Sequence, residues 1–133
     1  MQIESGDTMP LRTSDDVVRV RQAVRARAVA IGFSLVDQTK VVTAASELAR
    51  NTLIHGGGGY MDLITLNGPR VGLRLTFNDK GPGIPDVQLA LRDGFTTGTG
   101  LGLGLGGAKR LVNEFEISSS ADQGTRVSIT RWK

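Results

Sequence analysis

The sequence predicts an α+β sandwich, a mixed but mostly antiparallel sheet with helices packed on one face. Three observations lead there. Two early stretches repeat apolar residues at helical spacing. Later stretches alternate apolar and polar residues and are joined by Asn-, Gly- and Pro-rich turns. The order that results is strand, helix, helix, two strands, loop and short helix, two strands. With 133 residues, the chain is expected to form one domain, 1–133, burying about two thirds of its unfolded surface.

Taken in order, residues 8–12 suit a short edge strand, where Pro10 is tolerated. Ser14-Asp15-Asp16 offers a helix N-cap, and Val17, Val20, Val24, Ala28 and Ile31 form the stripe behind it, ended by Gly32. Asp37 can cap a second helix with the stripe Val41, Ala44, Ala45, Leu48 and Thr52, stopping at Gly56. Residues 60–66 and 71–77 read as a hairpin about Asn67-Gly68-Pro69. Residues 79–86 hold two Pro and two Gly and cannot be regular, and 87–92 make one or two helical turns. A Gly-rich loop is expected over 93–107 and a short helix over 108–113. Strands over 115–119 and 125–132, joined through Asp122-Gln123-Gly124, close the chain.

Composition excludes several functions. With no Cys there is no disulfide, thiolate nucleophile or zinc-finger framework. No run of about 18 apolar residues could span a membrane, and the N-terminus lacks the regions of a signal peptide, so a cytoplasmic protein is expected. Arg12, Arg19, Arg21, Arg25 and Arg27 crowd one segment within a net charge of +3. They are read either as a solvated helix face or as a patch for an acidic surface or nucleic acid. The few aromatics do not interleave with them, which weakens a stacking platform for single strands.

Four motifs carry chemistry. Glu47 and Asn51 stand four apart on the second helix, one turn from each other and beside the Leu48 stripe. A carboxamide oxygen there suits Mg²⁺ and the carboxylate can take a proton; the other reading is a pair of polar shoulder residues. Asp79-Lys80-Gly81-Pro82-Gly83-Ile84-Pro85-Asp86 follows a strand end. Its Asp can accept a hydrogen bond from an exocyclic amine, and its Gly residues let backbone approach a flat ring; a surface turn is the alternative. The alternating Gly and Leu from Gly98 to Gly107 lead into a helix and form an anion site. Gly102 to Gly107 matches G-x-G-x-x-G, but no strand precedes it, which excludes a dinucleotide fold. Lys109 is followed by Arg110, which excludes a Walker A loop. Finally Gly124-Thr125-Arg126 opens the last strand, as a plain turn or as a hydroxyl reaching a ligand held by Asp79.

Together the four resemble, in order and spacing, the N, G1, G2 and G3 boxes of the GHKL ATP-binding family over about residues 40–130. Ser46-Glu47-Leu48-Ala49-Arg50-Asn51, Asp93-Gly94-Phe95-Thr96-Thr97 and Lys109-Arg110-Leu111-Val112-Asn113-Glu114-Phe115 resemble its branch of serine/threonine switch kinases of the stressosome and anti-sigma-factor kinases. The resemblance implies a Bergerat-type fold, Mg²⁺ and ATP as cofactors, and phosphorylation of serine or threonine on STAS-domain proteins. It further implies that the freed kinase binds and activates a PP2C-type phosphatase, with neither nucleic acid nor membrane as a partner. Carried over by position, Glu47 resembles the general base and Asn51 the Mg²⁺ ligand, with Arg50 a basic residue beside the site. Asp79 would bind the adenine amine, with Gly81 and Gly83 in the turn and Thr125 assisting. Gly100, Gly102 and Gly104 would cradle phosphates, with Lys109 nearby. The chain departs from its relatives in Gly104-Leu105-Gly106-Gly107, which implies a loose lid and weak ATP binding without a partner. An anti-sigma factor that sequesters a sigma subunit in its ATP state shares every one of these motifs and is the alternative function. A histidine kinase is not expected, on length and because the single His55 sits at a helix end beside four Gly, with no dimerisation helix to carry a phosphoacceptor.

Overall fold

The computed structural model describes residues 2–84, 86–91 and 104–133. β1 (Gln2–Leu11) leads into α1 (Ser14–Ala30) and α2 (Leu35–Ile54); β2 (Gly59–Asn67) and β3 (Gly72–Asp79) follow. Two short helices, α3 (Val87–Ala90) and α4 (Leu105–Arg110), precede β4 (Glu114–Ser120) and β5 (Gly124–Trp132). The sheet order is β1-β2-β3-β5-β4. Expected to be mixed and mostly antiparallel, it is antiparallel in each of its pairings.

Register explains the core. Strand side chains alternate between faces, so aligned pairs place whole rows on one side. Met9, Met61, Phe77, Val127 and Ile117 form one such row, and Leu63, Leu75, Ile129 and Phe115 the next. The two long helices pack on these rows. Val20, Val24 and Ala28 of α1 and Val41, Ala44, Ala45, Leu48 and Ala49 of α2 join them in one buried cluster. Burial of each larger side chain contributes about 1.5–3 kcal/mol. The opposite sheet face is polar: Thr76 and Ser128 share a hydrogen bond of 3.2 Å, and Arg74 donates to Thr130 at 3.0 Å.

Several boundaries differ from the sequence expectation. β1 runs from Gln2 because it pairs with β2 from Gln2 to Leu11, with one register shift between Ile3 and Ser5, a gain that no local pattern reveals. The N-cap of α1 is Thr13, one residue before Ser14; its hydroxyl accepts from Asp16 N, and the Asp16 carboxylate accepts from Thr13 N. This reciprocal pair satisfies two helix-end donors that Ser14 could not reach. The N-cap of α2 is Ser34, not Asp37, and its Oγ accepts from Asp37 N at 3.1 Å. Asp37 instead accepts from Arg131 at 2.6 Å, tying β5 to the start of α2. α4 begins at Leu105, three residues before the expected start, because Leu105 and Ala108 are buried against α2.

Candidate active site

The end of the helix-facing sheet surface is polar where the rest is apolar. Register places Gly59 opposite Asp79, Asp79 opposite Thr125, and Thr125 opposite Ser119, in one row beyond Phe77 and Val127. Asp79 Oδ1 accepts from Gly81 N at 2.9 Å and from Thr125 N at 3.3 Å. One carboxylate oxygen therefore folds the turn after β3 and pins the start of β5. Thr125 and Ser119 share a hydroxyl bond of 2.8 Å, and Ser119 Oγ accepts from Ile84 N at 2.7 Å. At Gly81 the backbone passes so close to Gly56 that a Cβ would lie 2.7 Å from its Cα, so no larger residue fits.

α2 supplies the second wall. Glu47, Asn51 and His55 are each four residues apart and share one face. His55, at the C-cap, places Nε2 3.1 Å from the Gly83 carbonyl and so holds the far side of the same turn. Asn51 is half-buried, and its carboxamide has no partner among the described residues. Glu47 is half-exposed and accepts from Arg50 at 3.2 Å. Gly104, in the left-handed conformation at φ 68°, packs directly on the Glu47 carboxylate, where a Cβ would overlap it. The packing of α4 on α2 thus brings the start of α4 over Glu47.

Among the described residues, Asn51, Asp79 and Thr125 line one cavity with Leu48, His55, Phe77 and Ile84. Its volume is about 10 Å³, no more than one water. Apolar walls from Leu48, Phe77 and Ile84 around the polar groups of Asn51, Asp79 and Thr125 suit a heteroaromatic ring once the turn moves aside. Gly81 and Gly83 lie in that turn, as expected, with Gly83 at φ 79°. Glu47, Arg50 and Gly104 gather beside the cavity instead of lining it. Lys109 is exposed in the last turn of α4. Gly100 and Gly102, and with them the expected lid, lie outside the described residues.

Ser119 and His55 are the residues that motif reading passed over in this site. His55 is a half-buried C-cap of α2 that also bonds the turn. Its signal was its place four residues beyond Asn51. Ser119 gave no local signal, since only strand register brings it to Thr125.

The donor set fits a magnesium nucleotide. Mg²⁺ keeps most of its shell for phosphate and water and takes one or two protein oxygens. The unpartnered Asn51 carboxamide, with a carboxylate one turn away, can supply them. Among the described residues no group of three or more His, Asp or Glu could hold an ion by itself.

Residues 36–133 match the family model described as histidine kinase-, DNA gyrase B-, and HSP90-like ATPase. The chain belongs to that family. Within this ATPase family it is 42% identical to the serine/threonine-protein kinase RsbT of Bacillus subtilis, over 92% of each chain. It is 29% identical to the anti-sigma F factor of a Thermoanaerobacter species, over 84% of this chain and 82% of that one. Two solved structures share the ATPase fold. One holds the RsbU and RsbW domains of a Mycobacterium tuberculosis protein, with a TM-score of 0.62 and 19% identity; it covers 97% of this chain, which spans 32% of that one. The other is the nucleotide-free catalytic domain of the histidine kinase ThkA, with a TM-score of 0.52 and 14% identity over 98% and 95% of the two chains.

Proposed function

We propose that the chain acts, over residues 1–133 as one domain, as an ATP-dependent kinase that phosphorylates serine or threonine on STAS-domain proteins. Once released from them, it binds and activates a PP2C-type phosphatase. Serine/threonine-protein kinase is the activity that the likeness to RsbT shows. The observation that carries the site assignment is the convergence of Asp79, Thr125 and Asn51 on one cavity, with Glu47 a turn further along α2.

Asp79 accepts the adenine amine with the oxygen that does not fold the turn, and the Thr125 hydroxyl assists. Asn51 holds Mg²⁺, which when bound neutralises the phosphate oxygens. Backbone amides of Gly100, Gly102 and Gly104 cradle the phosphates, with Lys109 nearby. Glu47 takes the proton of the incoming hydroxyl, and Arg50, 3.2 Å from it, orients that carboxylate. Phosphoryl transfer depends chiefly on such positioning and charge.

The test is incubation with labelled ATP and candidate STAS partners, followed by mapping of the label. A serine or threonine phosphate on the partner is expected. Unlabelled partner with a captured sigma subunit would favour the other reading, an anti-sigma factor, which the anti-sigma F relatives support. No helix among the described residues is long and apolar enough to cross a membrane. The reading places this cascade in the cytoplasm.

A further inference from the structure

Behind the adenine turn lies a second concavity, which shares only Asp79 with the adenine cavity. It holds about 890 Å³ and is lined by Pro10, Arg12, Tyr60, Asn78, Lys80 and Gln123, among others. Such a volume is at the upper end for ligand clefts. Tyr60, Asn78 and Pro10 lie in one cross-strand row, on the sheet face opposite the helices.

Neither the Arg12 guanidinium nor the Lys80 ammonium has an ion-pair or hydrogen-bond partner among the described residues. Both stand on fixed backbone. Arg12 N donates to Asp16 Oδ2 at 2.9 Å, and Lys80 follows Asp79, whose Oδ1 is committed to the turn. Tyr60 leaves 44% of its surface exposed between them. Two unpaired cations on separate elements, with an aromatic ring and a proline between, outweigh the one lining carboxylate, Asp79, and give the open groove a net positive sign. That pattern fits spaced carboxylates along an extended chain, with an apolar residue seated on Tyr60.

We propose that this cleft binds an acidic peptide segment of a protein partner. The idea rests on the reading that the chain acts on proteins, and names the chemistry of the part of the partner that docks. The probe is a fluorescein-labelled decapeptide of Asp and Glu with one central Leu, followed by anisotropy with the full chain. Binding is expected, weakening as salt rises. Arg12→Glu with Lys80→Glu should lower the affinity at least tenfold, and Tyr60→Ala severalfold. Arg21→Glu with Arg25→Glu makes the same charge change on the exposed face of α1 and should stay within twofold. Equal losses in the two double variants would reduce the effect to general electrostatic attraction and overturn the site, as would no binding to the native chain. Should the double reversal unfold the chain, Arg12→Gln with Lys80→Gln replaces it, and an unchanged affinity there also overturns the site. Peptide binding is read without phosphate transfer, so failure of the kinase reading would appear only in the labelling experiment.

Discussion

At the scale of single residues, Asp79 divides its work between its two oxygens. Oδ1 is taken by two backbone N–H groups, which leaves Oδ2 for the ligand. In Asp79→Asn the amide oxygen must stay on Gly81 N and Thr125 N, so the NH₂ faces the adenine amine, donor against donor. The fold should survive, while ATP affinity falls about tenfold to a hundredfold, on the order of 1–3 kcal/mol. Calorimetry giving equal affinity for both proteins would remove Asp79 from adenine recognition. Glu47 makes the opposite case. It stands outside the cavity, half-exposed on α2, so it contributes little to ground-state binding. Glu47→Ala should abolish transfer while nucleotide and partner binding persist, because a general base acts only in the transition state. Near-normal turnover would leave it a surface partner of Arg50. Asp79 and Thr125 were legible in the sequence because each begins or ends a strand beside a Gly-rich turn. Ser119 was not, because its role exists only through pairing of β4 with β5.

At the scale of elements, the two long helices were legible and their ends were not. The stripes of α1 and α2 follow the helical period, which burial enforces along their length. Caps depend on which of several nearby Ser, Thr and Asp residues reaches a free N–H, and 13–16 and 34–37 each offered a choice. The two acids that are not themselves N-caps, Asp16 and Asp37, became anchors. The N–H of Arg12 chiefly holds the Asp16 carboxyl below its ordinary value, against the opposing effect of burial. The Arg131 guanidinium does the same for Asp37, again against burial. A carboxyl whose value is depressed by folding stabilises the fold above its unfolded value, near 3.9, and that stability is lost as pH falls through the folded value. Urea midpoints should therefore hold from pH 7 to about 4 and decline below. Asp37→Asn should cost about 1 kcal/mol at pH 7 and flatten part of the decline. An Asp37→Asn protein with the native pH profile would show that the Arg131 contact contributes nothing to acid sensitivity.

At the scale of the whole molecule, the proposed adenine cavity and the proposed phosphate-binding segment would bear on the same equilibrium. The cavity of about 10 Å³ must widen before a ring can enter, which moves the Ile84 turn against its bonds to Ser119 and His55. The sequence places seven Gly in positions 94–107, so ordering that segment over phosphate costs much conformational entropy. On the proposed reading, both costs would lower the affinity of the free protein for ATP. A STAS partner that contacts the lid and the start of α4 would meet part of them in advance, and nucleotide would then bind more tightly. Linkage requires ATP to tighten partner binding by the same factor. A coupling of about 1–3 kcal/mol, or roughly fivefold to 150-fold, is the usual range. The measurement is a calorimetric titration of ATP with and without the partner, and of the partner with and without ATP. Equal factors above fivefold in the two directions are expected. Identical ATP affinities with and without partner would show that the lid and cavity open independently of the protein substrate.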